Sequence, residues 1–77
     1  MSENITVEIT EAVGIINKND NSGWTKELNR VSWCGGKPKW DIREWSPDHR
    51  KMSRGITLTQ EELQQIVDLF RDYKHRR

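Results

Sequence analysis

The stretch PKWDIREWSPDH, residues 38–49, has the pattern of one β-strand with two unlike faces. Successive side chains of a strand point to opposite sides. One side carries two apolar residues and a glutamate: Trp40, Ile42 and Glu44. The other side interleaves charges with a tryptophan: Lys39, Asp41, Arg43 and Trp45. The first side is suited to a core or a subunit interface, whereas the second combines aromatic surface with positive charge.

Alternation and turn residues predict three further strands around this one. They are expected over residues 5–19, 25–33 and 52–58. The alternation of the first strand changes phase at Ala12-Val13-Gly14, which predicts a bulge. Gly35-Gly36 predicts a two-residue hairpin turn because both glycines accept positive φ. Ser46-Pro47-Asp48-His49 predicts the turn that ends the third strand.

A C-terminal helix is the clearest single element. Thr59 with Glu62 three residues later predicts a capping box. The apolar stripe that follows has helical spacing: Leu63, Ile66, Val67, Phe70 and Tyr73. A basic end follows the stripe and complements the helix dipole: Lys74, His75, Arg76 and Arg77. The expected fold class is therefore α+β, a curved four-stranded antiparallel sheet with one helix that can cover a single face.

Length and composition restrict the function classes. The 77 residues are expected to form one domain, residues 1–77, whose small core favours a homodimer. Cys34 is the only cysteine, which excludes an intrachain disulfide and indicates a reduced, cytoplasmic setting. No apolar run suits a membrane span or a signal peptide. His49 and His75 are far apart in sequence and lack companion cysteines, so we expect no metal. His49, beside Asp48, lacks a third orienting group and Cys34 suits a turn, so we expect no catalysis, no cofactor and no small-molecule substrate.

Charge is concentrated in the middle of the chain. Residues 1–23 sum to −3, residues 24–54 to +4 and the remainder to zero, within a net charge of +1. Parity on the second strand groups Trp24, Lys26 and Arg30 on one side. The expectation is that this side and the Arg43 side of the third strand form one basic, aromatic sheet face. Such a face is typical of single-stranded nucleic-acid binding, because cations hold phosphates and aromatic rings stack on bases. An ordinary solvated face fits the alternation equally well.

Two motifs, "WDIREW" and "RGITLTQEEL", together with the glycine turn before them and the helix after them, resemble the positive cofactor four family. The segments "GWTKELNRVSW" and "WSPDHRKM" resemble its small bacterial YdbC-like branch. The resemblance extends over residues 24–70 and, more loosely, over the first strand. It implies a homodimeric, coactivator-like protein that binds single-stranded DNA, in transcription regulation or in protection of exposed strands, on the cytoplasmic nucleoid. In this resemblance Arg43 matches the family's DNA-contacting arginine and Lys37 matches a lysine just after the hairpin glycine, while Lys26 falls near a basic position at the start of the preceding strand.

The chain also departs from the family pattern. Ser32 and Cys34 replace a basic and an aromatic residue before the turn, and Ser46 stands where a tryptophan is expected. Trp33 and Trp45, one position away, are expected to substitute for the missing aromatics. The expected nucleic-acid-binding residues are therefore Trp24, Lys26, Arg30, Trp33, Lys37, Lys39, Arg43 and Trp45. Single-stranded RNA is an alternative ligand, and a protein-interaction module using the same tryptophan-rich face is an alternative function.

Overall fold

A computed structural model, which describes residues 6–76, shows a four-stranded antiparallel sheet followed by one helix. The elements in chain order are β1 (Val7–Lys18), β2 (Thr25–Trp33), β3 (Lys39–Trp45), β4 (Ile56–Leu58) and α1 (Gln60–Lys74). The strands lie side by side in sequence order, so each is joined to its neighbour. The predicted α+β class is confirmed, and β2 has the predicted bounds. Ile5 and Arg77, which the sequence assigned to the first strand and the helix end, lie outside the described residues.

The strand β1 is bent by three irregularities in its pairing with β2. They fall between Ile9 and Glu11, between Ala12 and Gly14, and between Ile15 and Asn17. The second of these is the predicted bulge. Each bulge bends its strand and increases the local twist, so β1 is not a straight edge strand.

The β2–β3 turn differs by one residue from the prediction. The amide of Gly36 donates to the carbonyl of Trp33 at 2.9 Å, so Cys34 and Gly35 are the central residues. Their φ angles are 53° and 76°, the combination that a type I′ turn requires. Pro38 has no N–H to donate, so the ladder begins only at Lys39.

The fourth strand is shorter than the predicted 52–58. Only Ile56–Leu58 forms a ladder with β3, and Met52 makes an isolated bridge with Trp45. The predicted turn that ends β3 is present, since the amide of His49 donates to the carbonyl of Ser46 at 2.9 Å.

The helix α1 has the predicted capping box but leaves its apolar stripe uncovered. Thr59 Oγ1 accepts from the amide of Glu62, and Glu62 Oε1 accepts from the amide of Thr59. No residue of the helix is buried, and Phe70 and Tyr73 are 62% and 66% exposed. The expectation that the helix covers one sheet face is therefore wrong within a single chain. The radius of gyration is 14.5 Å, against about 11–12 Å for a compact chain of this length. The helix is neither long nor apolar enough to cross a membrane.

The two faces of the sheet are opposite to those predicted. One face, called here the buried face, carries most of the buried side chains of β2 and β3: Thr25, Glu27, Asn29, Val31, Asp41 and Trp45. The other, called here the open face, carries Trp40, Ile42 and Glu44 of β3. Lys26 lies opposite Glu44 and Arg30 opposite Trp40, so both cations belong to the open face. The predicted single face that joins them to Arg43 and Trp45 is wrong, because parity within a strand does not specify its register with the next.

Candidate nucleic-acid interface

Arg43 is held rigidly on the buried face. Its Nε and Nη2 donate to the two carboxylate oxygens of Asp41 at 2.7 and 2.8 Å, and its Nη1 donates to the carbonyl of Ser53 at 3.2 Å. Asp41 is fully buried and also accepts from Thr57 Oγ1 at 3.2 Å. Bidentate Arg–carboxylate pairs are strong and fix the plane of the guanidinium. Only 10% of the Arg43 side chain is exposed, so its charge is largely matched within the chain.

The fixed guanidinium of Arg43 lies over the ring of Trp33. The distance from Arg43 Cζ to the ring centroid is 4.7 Å, within the range of a cation–π contact. Arg43 pairs in the ladder with Glu27, six positions before Trp33 on β2. The two long side chains therefore bridge several positions along the buried face. Trp33 is partly exposed at the hairpin end of this face, and its indole N–H has no partner among the described residues.

The backbone at Gly55 approaches Arg43 too closely to admit a side chain. A Cβ at Gly55 would lie 2.3 Å from Arg43 Cβ and 2.4 Å from the carbonyl oxygen of Ile42. Gly55 belongs to the motif "RGITLTQEEL", one of the two that carry the family resemblance. Its absent side chain is what allows the segment before β4 to lie against Arg43.

A second polar cluster surrounds Glu27 and was missed by the sequence analysis. Asn29 Nδ2 and Thr25 Oγ1 donate to its carboxylate, and His49 Nε2 lies 2.8 Å from Glu27 Oε2. Burial raises the pKa of Glu27, but the hydrogen bonds from Asn29, Thr25 and His49 and the charge of His49 together hold that pKa below its usual value. Glu27 and His49 are 22 residues apart in sequence, so no local pattern indicates their contact.

Trp45 belongs to the core and is not accessible for stacking on a base. It is 4% exposed, and the imidazole of His49 stacks on it with ring centroids 5.7 Å apart. His49 itself adopts φ 60° in the turn after β3, a conformation that histidine tolerates better than most residues. The expectation that Trp45 is an exposed residue beside Arg43 is therefore wrong: the two share a face, but the 46–50 turn covers the tryptophan.

The remaining predicted residues lie in three places. Lys37 and Lys39 are exposed at the β2–β3 hairpin, close in sequence to Trp33. Arg30 lies on the open face, where its Cζ is 5.1 Å from the ring centroid of Trp40. Trp24, partly exposed, and Lys26, exposed, lie at the opposite end of β2 from the hairpin. The hairpin end of the sheet therefore carries Arg30, Trp33, Lys37 and Lys39, with Arg30 and Trp33 on opposite faces. Trp24 and Lys26 lie at the other end of β2.

The described residues offer little for metal chemistry. Within residues 6–76 no three side chains of His, Cys, Asp or Glu are grouped so that they could hold a metal ion. The arrangement at the hairpin can instead bind anions through its cations and planar groups through its indoles.

Comparison with known proteins identifies one matching family and one similar bacterial protein. Residues 21–69 match the family described as Transcriptional Coactivator p15 (PC4). The matched segment contains β2, β3, β4, the hairpin and most of α1. An uncharacterized protein of Treponema pallidum (strain Nichols) is 41% identical over 69 residues, which make up 90% of this chain and 80% of that protein.

Proposed function

The chain belongs to the PC4 transcriptional coactivator family, a family of single-stranded DNA-binding domains, and we propose that it binds single-stranded DNA with little sequence preference. The cellular role we propose is regulation of transcription or protection of exposed strands, in the cytoplasm on the nucleoid. Neither role requires catalysis, a cofactor or a small-molecule substrate.

The observation that carries the proposal is the indole of Trp33 backed by the fixed guanidinium of Arg43. Arg43 holds the ring from one side at 4.7 Å. Trp33 is partly exposed at the end of β2, and the exposed cations Lys37 and Lys39 follow it in the β2–β3 hairpin and at the start of β3. A base that stacks on Trp33 would place its phosphates near these lysines. Stacking of this kind contributes about 1–3 kcal/mol per base and tolerates any base, because every base has a π-face.

In this proposal Arg43 is a positioning residue more than a phosphate ligand. Its Nε, Nη1 and Nη2 all donate to protein groups, and Asp41 matches its charge. Phosphate binding at this site falls instead to Lys37 and Lys39, neither of which has an ion-pair partner among residues 6–76.

Binding is tested by titrating the protein with oligo-dT, duplex DNA and oligo-U at two salt concentrations. We expect oligo-dT to bind, to quench tryptophan emission and to weaken steeply with salt, whereas a duplex of equal length binds far more weakly because its bases are not free to stack. Trp33→Ala is expected to lose roughly 1–3 kcal/mol of oligo-dT binding, and Trp24→Ala, whose ring lies beyond the other end of β2, is expected to lose less. Equal affinity for the duplex and for oligo-dT would mean that binding is only electrostatic attraction to phosphates, and the stacking proposal would be wrong. Oligo-U binding as tight as oligo-dT would extend the ligand to RNA, and binding insensitive to salt would favour the protein-interaction alternative.

We also propose that the functional unit is a homodimer. The apolar stripe of α1 is exposed, with Ile66 47% and Val67 45% accessible. Ile56 of β4, which pairs with Ile42 and not with Trp40 at the hairpin end, is 52% accessible. A chain of this size gains a sufficient core most simply by covering the helix stripe and this part of β4 with a second copy. Sedimentation equilibrium is expected to give a dimer at micromolar concentration, and Val67→Glu is expected to dissociate it. A folded monomer in the unaltered protein would disprove the dimer without affecting the DNA proposal.

A further inference from the structure

The hairpin end of the sheet carries two arginine–tryptophan pairs, one on each face. On the buried face Arg43 lies over Trp33 at 4.7 Å, and on the open face Arg30 lies over Trp40 at 5.1 Å. The open-face pair is held in place from both sides. The indole Nε1 of Trp40 donates to Gln60 Oε1 at 3.0 Å, and Arg30 Nη2 donates to the carbonyl of Pro38 at 3.2 Å. Trp40 is partly exposed, as Trp33 is.

The two pairs differ in charge. Arg43 is neutralised by the buried carboxylate of Asp41. Arg30 forms no ion pair among residues 6–76, and its one side-chain hydrogen bond there is to a neutral carbonyl. The open-face pair therefore retains a full positive charge beside an aromatic surface.

A shallow pocket adjoins the open-face pair and has a basic lining. Its volume is about 240 Å³, somewhat below the ~300 Å³ at which pockets begin to enclose a drug-sized ligand. Three cations, Arg30, Lys37 and Lys39, and no carboxylate are among the residues that line it, with Trp40 as the aromatic wall. A pocket of this size, charge and shape suits one nucleotide of a chain that passes over it better than a whole small molecule.

We propose that the open face is a second nucleotide site, and that one nucleic-acid strand wraps around the β2–β3 hairpin to occupy both faces. The inference rests on the proposed single-stranded DNA binding and extends it. One base stacks at Trp33 and another at Trp40. The phosphates between them cross the turn at Lys37 and Lys39 and reach Arg30. Lys37 lies in the 34–38 connection between the strands, so it is available to a strand that passes from one face to the other.

The test compares Arg30→Gln with the unaltered protein on a short and a long oligo-dT, of about 5 and about 16 nucleotides, which span the lengths that one small sheet domain occupies. The short strand can occupy one face only, whereas the long one can reach both. In the unaltered protein the long strand is expected to bind more tightly. In Arg30→Gln that gain should shrink, and the salt slope for the long strand should fall by roughly 0.7, as loss of one phosphate contact by a single strand requires. Lys18→Gln, which removes one exposed cation at the far end of the sheet, is the matched control and should behave as the unaltered protein.

A second variant tests the aromatic contact. Trp40→Phe keeps a ring for packing but a smaller one for stacking, and it too should reduce the gain with length. Circular dichroism and sedimentation equilibrium verify that each variant keeps its fold and assembly. A change in assembly would mean that the open face is covered by a second copy, which overturns the proposal. The proposal is also overturned if both variants keep the full increase in affinity from the short to the long strand. It is overturned as well if Arg30→Gln weakens the short and the long strand equally, because Arg30 would then belong to one common site. If the unaltered protein bound neither oligomer, the proposed function itself would fail.

Discussion

Replacement of Trp45 tests whether this residue belongs to the core, as the structure shows, or to a ligand-binding face, as the sequence predicted. Trp45 is 4% exposed, stacked against His49, and its indole N–H has no hydrogen-bond partner among the described residues. Two substitutions probe these properties separately. Trp45→Ala removes the whole ring, whereas Trp45→Phe keeps most of the buried apolar area and removes the unpartnered N–H.

The expected magnitudes follow from area and hydrogen bonding. Trp45→Ala removes roughly 150 Å² of buried apolar surface, or about 4 kcal/mol at ~25 cal/mol per Å², which agrees with the ~3–5 kcal/mol typical of such truncations. That is a large fraction of the ~4–12 kcal/mol expected for the whole chain. Trp45→Phe removes roughly 50 Å², about 1 kcal/mol, and relieves an unsatisfied donor that costs about 1–3 kcal/mol. The second variant should therefore be close to neutral.

Urea denaturation followed by far-ultraviolet circular dichroism measures both free energies of unfolding, and an unchanged slope with denaturant confirms that the unfolding reaction is comparable. Oligo-dT titration of Trp45→Phe should give the affinity of the unaltered protein. The reasoning is refuted if Trp45→Ala leaves stability within about 1 kcal/mol and instead lowers DNA affinity by a stacking contribution of ~1–3 kcal/mol. Equal destabilisation by Phe and Ala would show that the indole N–H has a partner, for example in a second subunit.

Three further changes test the supports of the candidate site. Arg43→Ala leaves the fully buried carboxylate of Asp41 without its cation; we expect a loss of about 3–5 kcal/mol in the free energy of unfolding, which Asp41→Asn in the same chain should partly restore in a double-mutant cycle. Gly55→Ala forces a Cβ to 2.3 Å from Arg43 and should cost about 1–3 kcal/mol by thermal denaturation, whereas Gly14→Ala, whose Cβ would meet nothing within 4 Å, should not. Because the pKa of Glu27 is lowered by folding, the unfolded chain binds more protons in acid; stability is present above the usual pKa and is lost as the pH falls through the folded value. Glu27→Gln should weaken this acid dependence in urea titrations between about pH 5 and pH 3, and an unaltered pH profile would contradict the assignment.

Local patterns in the sequence were sufficient for the elements and several of their ends. The capping box at Thr59, the bounds of β2 and the bulge at Ala12–Gly14 all depend on residues within a few positions of one another, and all three are present. The family resemblance was also carried by contiguous motifs, and the match over residues 21–69 supports it. The positive charge of residues 24–54 follows directly from the number of charged residues in that segment.

Only the tertiary structure decided which side chains share a face and which are covered. Alternation within β2 and β3 is correct in each strand, but a shift of one residue in their register exchanges the faces, and the sequence contains no local signal for that register. It is the register that places Arg30 with Trp40 and separates both from Arg43. The stack of His49 on Trp45 depends on the turn after β3, and the contact of Arg43 with Trp33 joins side chains of two neighbouring strands. Such contacts depend on the path of the backbone in three dimensions, and for that reason the accessibility of each tryptophan could not be predicted from its neighbours in sequence.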